Sequence, residues 1–485
     1  LIHFIEADYT DTDVISGLIN QVLKRDLHIN EQNYEIEFQA IASNSLLLAA
    51  LPHLFLSDPG LEIFFNQLRF HLLSILLDQG AVDLPLTTAM ALRAYNNEYV
   101  NYVTPIEDEL TRGLFDAIET FGQASGNLDE IESELMVLAM YLPLKDFPPA
   151  LLKINVRPQF FTGLLFADLF RAMVVFPREE AEFERSLSSI APISNPVSQL
   201  VQGQYESHPY PRWHSTHIRP APFSYLDAYD HLKPLLENKD IGEGVMSCLV
   251  AGCGTGKHPI TLAKNFTMVD VVALDLSRAS LAYASRLAKQ FQVDNIEFIH
   301  GDILDVRKIG RQFDVIECVG VLHHMEDPEL GLSSLLAVLK PRGLLNIGLY
   351  STLARREIKR LREANRKIGM ASTIKNIREF RFELLNQGRS GFLKSKDFYA
   401  TSSCRDLLFH EQECQFSLPD LAVLFEKHDL RFLGFHSLDE KYLARYRSIY
   451  PEDSFLTNLD NWHQFESKYP DTFSKMYQFH CQKAS

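Results

Sequence analysis

The stretch LVAGCGTGKH, Leu249–His258, places three glycines at alternate positions between an apolar run and the start of a helical pattern. Gly252, Gly254 and Gly256 can take backbone angles closed to other residues, and they let a ligand come close to the main chain. The apolar run MSCLVAGC (246–253) is the first of five, followed by VDVVALDLS (269–277), NIEFIHGDIL (295–304), FDVIECVGVL (313–322) and GLLNIGLYS (343–351). A helical pattern follows each of the first four, as in SLAYASRLAKQF (280–291) and PELGLSSLLAVL (328–339). Short apolar strands alternating with helices imply a parallel sheet covered on both faces, and such sheets bind ligands at the carboxyl ends of their strands.

The glycine turn falls at one of those ends, with Pro259 near the first turn of the next helix, a favoured proline position. Asp275 ends the second strand, where a carboxylate accepts both hydroxyls of a ribose. Asp302, in GDILD, ends the third, within reach of an adenine amino group. The spacing GxGxG is shorter than the GxGxxG turn that cradles a dinucleotide pyrophosphate, so the set suits adenine, ribose and an amino-acid tail.

These motifs, in this order over about 245–350, resemble the class I S-adenosylmethionine-dependent methyltransferases. The resemblance implies a Rossmann-like sheet, mostly parallel with an antiparallel closing strand, and S-adenosylmethionine as cofactor. It assigns Gly252, Gly254 and Gly256 to the methionine side and Asp275 with Leu276 to the ribose. Asp302 and Ile303 go to the adenine, and Ala251, Val319 and Gly320 to the pocket wall. The wider sequence, through QYESHPYPRW (204–213), VLHHMEDP (321–328) and CRDLLFHEQECQFSLPDLAVLF (404–425), resembles a bacterial group of such enzymes often fused to tetratricopeptide repeats.

Methyl transfer from a sulfonium needs an aligned nucleophile, exclusion of water and, for an amine or hydroxyl, a proton acceptor. His323 and His324 after the fourth strand, Tyr350 at the end of the fifth, and His410 with Glu411 and Glu413 in LLFHEQEC (407–414) are the candidates. His410 and Cys414 stand four apart, but one pair lacks the ligand number of a metal site, so no metal is assigned.

Around this sheet the chain reads in three parts. Residues 1–195 carry apolar positions at helical spacing in segment after segment, which predicts an all-α bundle or degenerate solenoid. Residues 196–235 hold Pro196, Pro209, Pro211, Pro220 and Pro222, which predicts an extended connector. Its Tyr205, Tyr210 and Arg212 make it either a strap or a lid on the cofactor. Residues 236–485 form the methyltransferase domain, with insertions at about 351–418 and 437–472. DLRFLGFHS (429–437) and SKMYQFHCQKA (474–484) pair antiparallel to close the sheet, and Trp462 rides on a helical insert between them.

Composition narrows the partners. A net charge of -16, from 47 basic and 63 acidic side chains, repels a polyphosphate backbone and disfavours nucleic acid. Six scattered cysteines without a CxxC pair read as reduced thiols of a cytoplasmic protein. The longest apolar run, SLLLAALPHLFL (45–56), is broken by Pro52 and too short to span a bilayer. A helical domain of this size suits docking of a sizeable acceptor, a protein or peptide side chain, or self-association as a homodimer. The alternatives are a small-molecule or glycan methyltransferase and, in another class, a non-catalytic cofactor-binding interaction protein.

Overall fold

A computed structural model describes residues 41–483, apart from 54–57, 125–127, 148–163, 214–215, 217–221, 237–243, 389–392, 394, 411 and 474–475. The first forty residues of the predicted all-α stretch and Glu411 lie outside the described residues. The chain divides into two compact units: one of residues 1–179, 214–217 and 369–409, the other of 180–213, 218–368 and 410–485.

The first unit is helical. Its long helix Pro59–Gln79 starts at Asp58, whose carboxylate accepts the N–H groups of Gly60 and Leu61, and stops at Gly80 in the left-handed region. Phe65, Leu72, Leu73 and Leu76 on its inner face join a core with Leu86 and Ala89 of helix Leu84–Asn96 and Leu135–Met140. The segment 369–409, an insertion after the fifth long strand, packs in this unit through Arg381. Its fully buried guanidinium pairs with Glu62 at 2.8 Å and donates to the carbonyls of Val100 and Phe398.

The second unit is built on an eight-stranded sheet: β1 Ser188–Ser189, β2 Met246–Ala251, β3 Val269–Asp275, β4 Ile296–His300, β5 Phe313–Val319, β6 Leu339–Tyr350, β7 Leu430–Phe435 and β8 Met476–Lys483. The order is β1-β4-β3-β2-β5-β6-β8-β7, and β8 alone runs antiparallel to its neighbours β6 and β7. Strands β2, β3 and β5 are apolar along nearly their whole length because both faces are covered. Leu249, Ile316 and Ile347 enter one core with Leu335, Leu421 and Phe425, while Cys248, Val250 and Val315 enter the other with Leu262 and Leu232. The chain order reverses between β3 and β5 on either side of β2, which makes the carboxyl end of β2 the switch point where this architecture binds ligands.

The closing pair and the insert behave as their residues predict. Trp462, on helix Leu459–Lys468, is fully buried, stacked on Tyr446 at 3.7 Å and edge-on to Phe435 of β7. The connector does not. Its first third is a helix, Pro196–Ser207, where the prolines had predicted extended chain. Pro196 occupies the first turn, which needs no N–H from it, Asn195 caps Ser198, and the next proline, Pro209, comes only after the helix ends.

Candidate active site

The glycine turn is tied down from both sides. Gly252 and Cys253 donate their N–H groups to Leu274 at the end of β3, and Gly254 donates to an Asp275 carboxylate oxygen at 2.7 Å. The room left by absent side chains is filled by protein. A Cβ on Gly252 would stand 2.4 Å from Val321, and one on Gly254 2.7 Å from the Tyr210 carbonyl; both glycines have positive φ.

The other Asp275 oxygen accepts Ser277 N–H at 2.9 Å. Burial pushes the Asp275 carboxyl up to about 6, against the backbone donors of Ser277, Gly254 and Leu276 that favour its charged form. Each oxygen keeps acceptor capacity beyond these bonds, so the ribose role implied for Asp275 fits. The Leu276 carbonyl accepts from the Gln202 amide and faces His300 Nε2 at 3.0 Å. Asp302 is buried, and one of its oxygens caps the turn Ile303–Ile309 through Leu304 N–H. Ala251 and Ile303 are buried beside these groups; Val319 and Gly320 are half-buried, and Gly320 donates to Gly348.

Two further residues, unremarked in the sequence, hold this end. Gln202 and Glu206 both lie on helix Pro196–Ser207. Glu206 accepts the N–H groups of Arg278 and Ala279, capping the helix that follows Asp275. Their only signal in the sequence was the i, i+4 spacing that sets two polar residues on one helix face. The strap beyond is anchored as well. The Pro211 carbonyl accepts from Thr255, Trp213 donates to the Thr255 carbonyl at 3.0 Å, and Tyr283 donates to the Trp213 carbonyl at 2.6 Å. Arg212 lies near the Tyr283 hydroxyl. Tyr205 and Tyr210 stack at 6.4 Å.

At the carboxyl ends of β5 and β6 a second cluster forms. His323 is fully buried, 3.8 Å from the Tyr350 ring and 4.3 Å from His324, and neither of its ring nitrogens has a hydrogen-bond partner. His324 stacks on His410 at 3.7 Å. The segment carrying His410 is pinned alongside, since Cys414 donates to the His323 carbonyl and Phe416 to the Tyr350 carbonyl. The bonds assign the tautomers. His324 Nδ1–H donates to the Gln412 carbonyl at 2.8 Å. His410 Nδ1 accepts Gln412 N–H, so its Nε2–H faces the Tyr205 hydroxyl at 3.2 Å.

Burial above all, with nearby His324 and the Arg355 and Arg362 guanidiniums, holds His323 and His410 well below the ordinary imidazole range. Both are neutral at pH 7. Beneath Tyr350 lies a trio built on the candidate Glu413: Arg355 stacks 3.8 Å over the ring and pairs with Glu413, and Arg362 reaches the same carboxylate at 2.6 Å. Burial raises Glu413, but the two guanidiniums outweigh it and keep the carboxyl below its usual range. Five predicted residues, Tyr205, His323, His324, Tyr350 and His410, therefore meet in one place. One helix joins that place to the glycine-turn end, because Tyr205 stands next to Glu206.

Residues 244–394 match the family described as "Methyltransferase domain". This stretch is similar to a methyltransferase domain. An uncharacterized protein of Synechococcus is 30% identical over 264 residues, 52% of this chain and 63% of its own length. A ubiquinone biosynthesis O-methyltransferase of Coxiella burnetii is 34% identical over 138 residues, 28% of this chain and 52% of its own. The chain thus spans less than two thirds of the length of these relatives. Among solved structures it resembles PKMT2 from Rickettsia typhi, 16% identical over 54% of each chain with a TM-score of 0.39. It also resembles magnesium protoporphyrin IX methyltransferase from Synechocystis with bound SAM, 11% identical over 61% of this chain and 100% of that one, with a TM-score of 0.30.

All six cysteines are free thiols, and no helix among the described residues is long and apolar enough to cross a membrane.

Proposed function

We propose that the chain transfers the methyl group of S-adenosylmethionine to a proton-bearing heteroatom of a sizeable acceptor, a protein or peptide side chain. The observation that carries the reading is the linkage through helix Pro196–Ser207, which sets Glu206 at the cofactor end and Tyr205 on His410 at the other. Bound against Gly252–Gly256, Asp275 and Asp302, the cofactor supplies an electrophilic methyl whose leaving group needs no proton. Asp275 accepts the ribose hydroxyls, Asp302 the adenine amino group, and Tyr210 and Arg212 close over the turn.

The chain's own work at the methyl end is to align the acceptor and take its proton. His323 or His324 receives that proton, while Tyr350 and His410 hold the two rings by stacking. A weak base suffices, because the acceptor hydrogen becomes more acidic as its heteroatom bonds to carbon. A separate helical unit with its own core supports a large acceptor, and a homodimer through that unit is the corollary.

The second reading, a small-molecule hydroxyl acceptor, is favoured by the likeness to the ubiquinone biosynthesis O-methyltransferase. Incubating a lysate with purified protein and methyl-labelled cofactor separates the two. Label in protein bands supports the first; label only in extractable metabolites overturns it.

A further inference from the structure

Just past Tyr350, the last residue of β6, the chain forms helix Arg356–Lys367, whose two faces differ in kind. The inner face carries Arg355, at the cap, with Ile358, Arg362 and Asn365, all buried. Arg355 lies on the Tyr350 ring and shares the Glu413 carboxylate with Arg362, so this side already has its partner. The outer face carries Arg356, Lys359, Arg360, Arg366 and Lys367, every one exposed, with Glu357 and Glu363 as the acids among them. Ile368, 69% exposed, follows at the helix end.

The outer charges are not arranged for the stability of the helix itself. Arg356 stands in the first turn, at the positive end of the helix dipole, and forms a like-charge pair with Arg360 four residues on; both arrangements destabilise a helix. Glu363 stands four residues from each of Lys359 and Lys367 and pairs with neither. Among the described residues, Lys359, Arg360 and Lys367 make no ion pair. From Arg355 to Lys367 seven basic side chains face two acidic ones, in a chain whose net charge is -16. A positive field of this extent acts within about a Debye length, about 8–10 Å at physiological salt. A nucleic acid or an anionic membrane also meets the acidic remainder of the chain and is repelled by it, whereas a short acidic peptide senses the helix alone. The outer face is one helix diameter, about 10–12 Å, from the Tyr350 stack, a span of about three to four extended residues.

We propose that the outer face of helix Arg356–Lys367 docks an acidic stretch, glutamates or aspartates, of the protein or peptide that accepts the methyl group. This rests on the reading of the acceptor as a protein or peptide. Carboxylates of the docked stretch pair with Lys359, Arg360 and Lys367, while Arg355 and Arg362 hold the helix beneath them through Glu413. The residues that follow the stretch then reach His324 and Tyr350.

The test uses the full chain without cofactor, titrated into fluorescein-labelled hexaglutamate and read by fluorescence anisotropy in about 0.1 M salt, where charges beyond about 10 Å are screened. Saturable binding is expected. The triple variant Lys359→Gln, Arg360→Gln, Lys367→Gln changes exposed residues only and should weaken it at least about tenfold, because three exposed pairs of about threefold each are lost. A second triple variant, Lys308→Gln, Arg311→Gln, Lys441→Gln, removes the same charge from exposed sites outside this helix and should change binding less than about twofold. Hexaglutamate that does not bind overturns the proposal, as does equal weakening in the two triple variants, which makes the effect one of net charge. Vesicles of phosphatidylserine and phosphatidylcholine that bind through Lys359, Arg360 and Lys367 while hexaglutamate does not give the face to a membrane, and overturn it too. Peptide binding is read without methyl transfer, so its failure removes the docking face alone. Methyl label confined to extractable metabolites removes instead the protein acceptor on which the proposal rests.

Discussion

The glycine turn and the histidine cluster are built on one sheet in different ways. The first is made of backbone: Gly252, Gly254, Asp275 and Ser277 are bonded to one another within about two dozen residues, and the strap fills the turn's empty side-chain space. The second is made of side chains from distant segments. Tyr205, His323, Tyr350, Arg355, His410 and Glu413 meet by ring stacking and one shared carboxylate. A backbone site tolerates change in its neighbours and depends on its glycines. A stacked site depends on the ion pairs beneath it.

That contrast can be broken most severely at Glu413. Glu413→Gln removes the carboxylate shared by the buried Arg355 and Arg362, and it should cost about 3–5 kcal/mol of stability in chemical denaturation. A loss below about 1 kcal/mol would mean the guanidiniums reach solvent and the stack has no fixed base. At the other end, Asp275→Ala should weaken cofactor binding at least about tenfold, or about 1.4 kcal/mol, while the protein stays folded. A change within about threefold removes Asp275 from the ribose.

Gly254→Ala sharpens the same point. The new Cβ meets the Tyr210 carbonyl in a left-handed residue, a strain of about 1–2 kcal/mol that should appear as looser cofactor binding and faster proteolysis near Tyr210. If proteolysis is unchanged, the strap is not seated on the turn. Smaller still is the expected pH effect. Asp275 has an ordinary value of 3.8 and about 6 in the folded chain, so protonation stabilises the free protein fully below 3.8, and that gain is lost as pH rises through 6. Cofactor affinity, which needs the carboxylate, should run the other way and fall as pH drops through about 6. Asp275→Asn should flatten the profile, and a fall that persists in this variant assigns the titration to another group.

How much was legible follows the same division. The sheet, its closing pair, the glycine turn and both strand-end acids could be read because each is a local pattern. Alternation of apolar runs reports burial on both faces, and the glycines report backbone angles. The helix Pro196–Ser207 was misread because prolines were counted without asking whether Pro196 had a bond to lose. Arg355, Arg362 and Glu413 could not be read as a cluster. Charged residues at helical spacing look like a solvated face, and only the fold brings a carboxylate some fifty residues on, Glu413, between the two guanidiniums. Arg381 with Glu62 shows the same limit, a buried pair whose partners are 319 residues apart.

The central claim is that the glycine turn with Asp275 and Asp302 is a working S-adenosylmethionine site. Calorimetric titration of the full chain with S-adenosylmethionine measures it directly. The account predicts one site per chain with a Kd in the micromolar range, about -8 kcal/mol, and no heat above dilution from NAD. A folded sample that gives no binding signal with S-adenosylmethionine up to about millimolar concentration contradicts it.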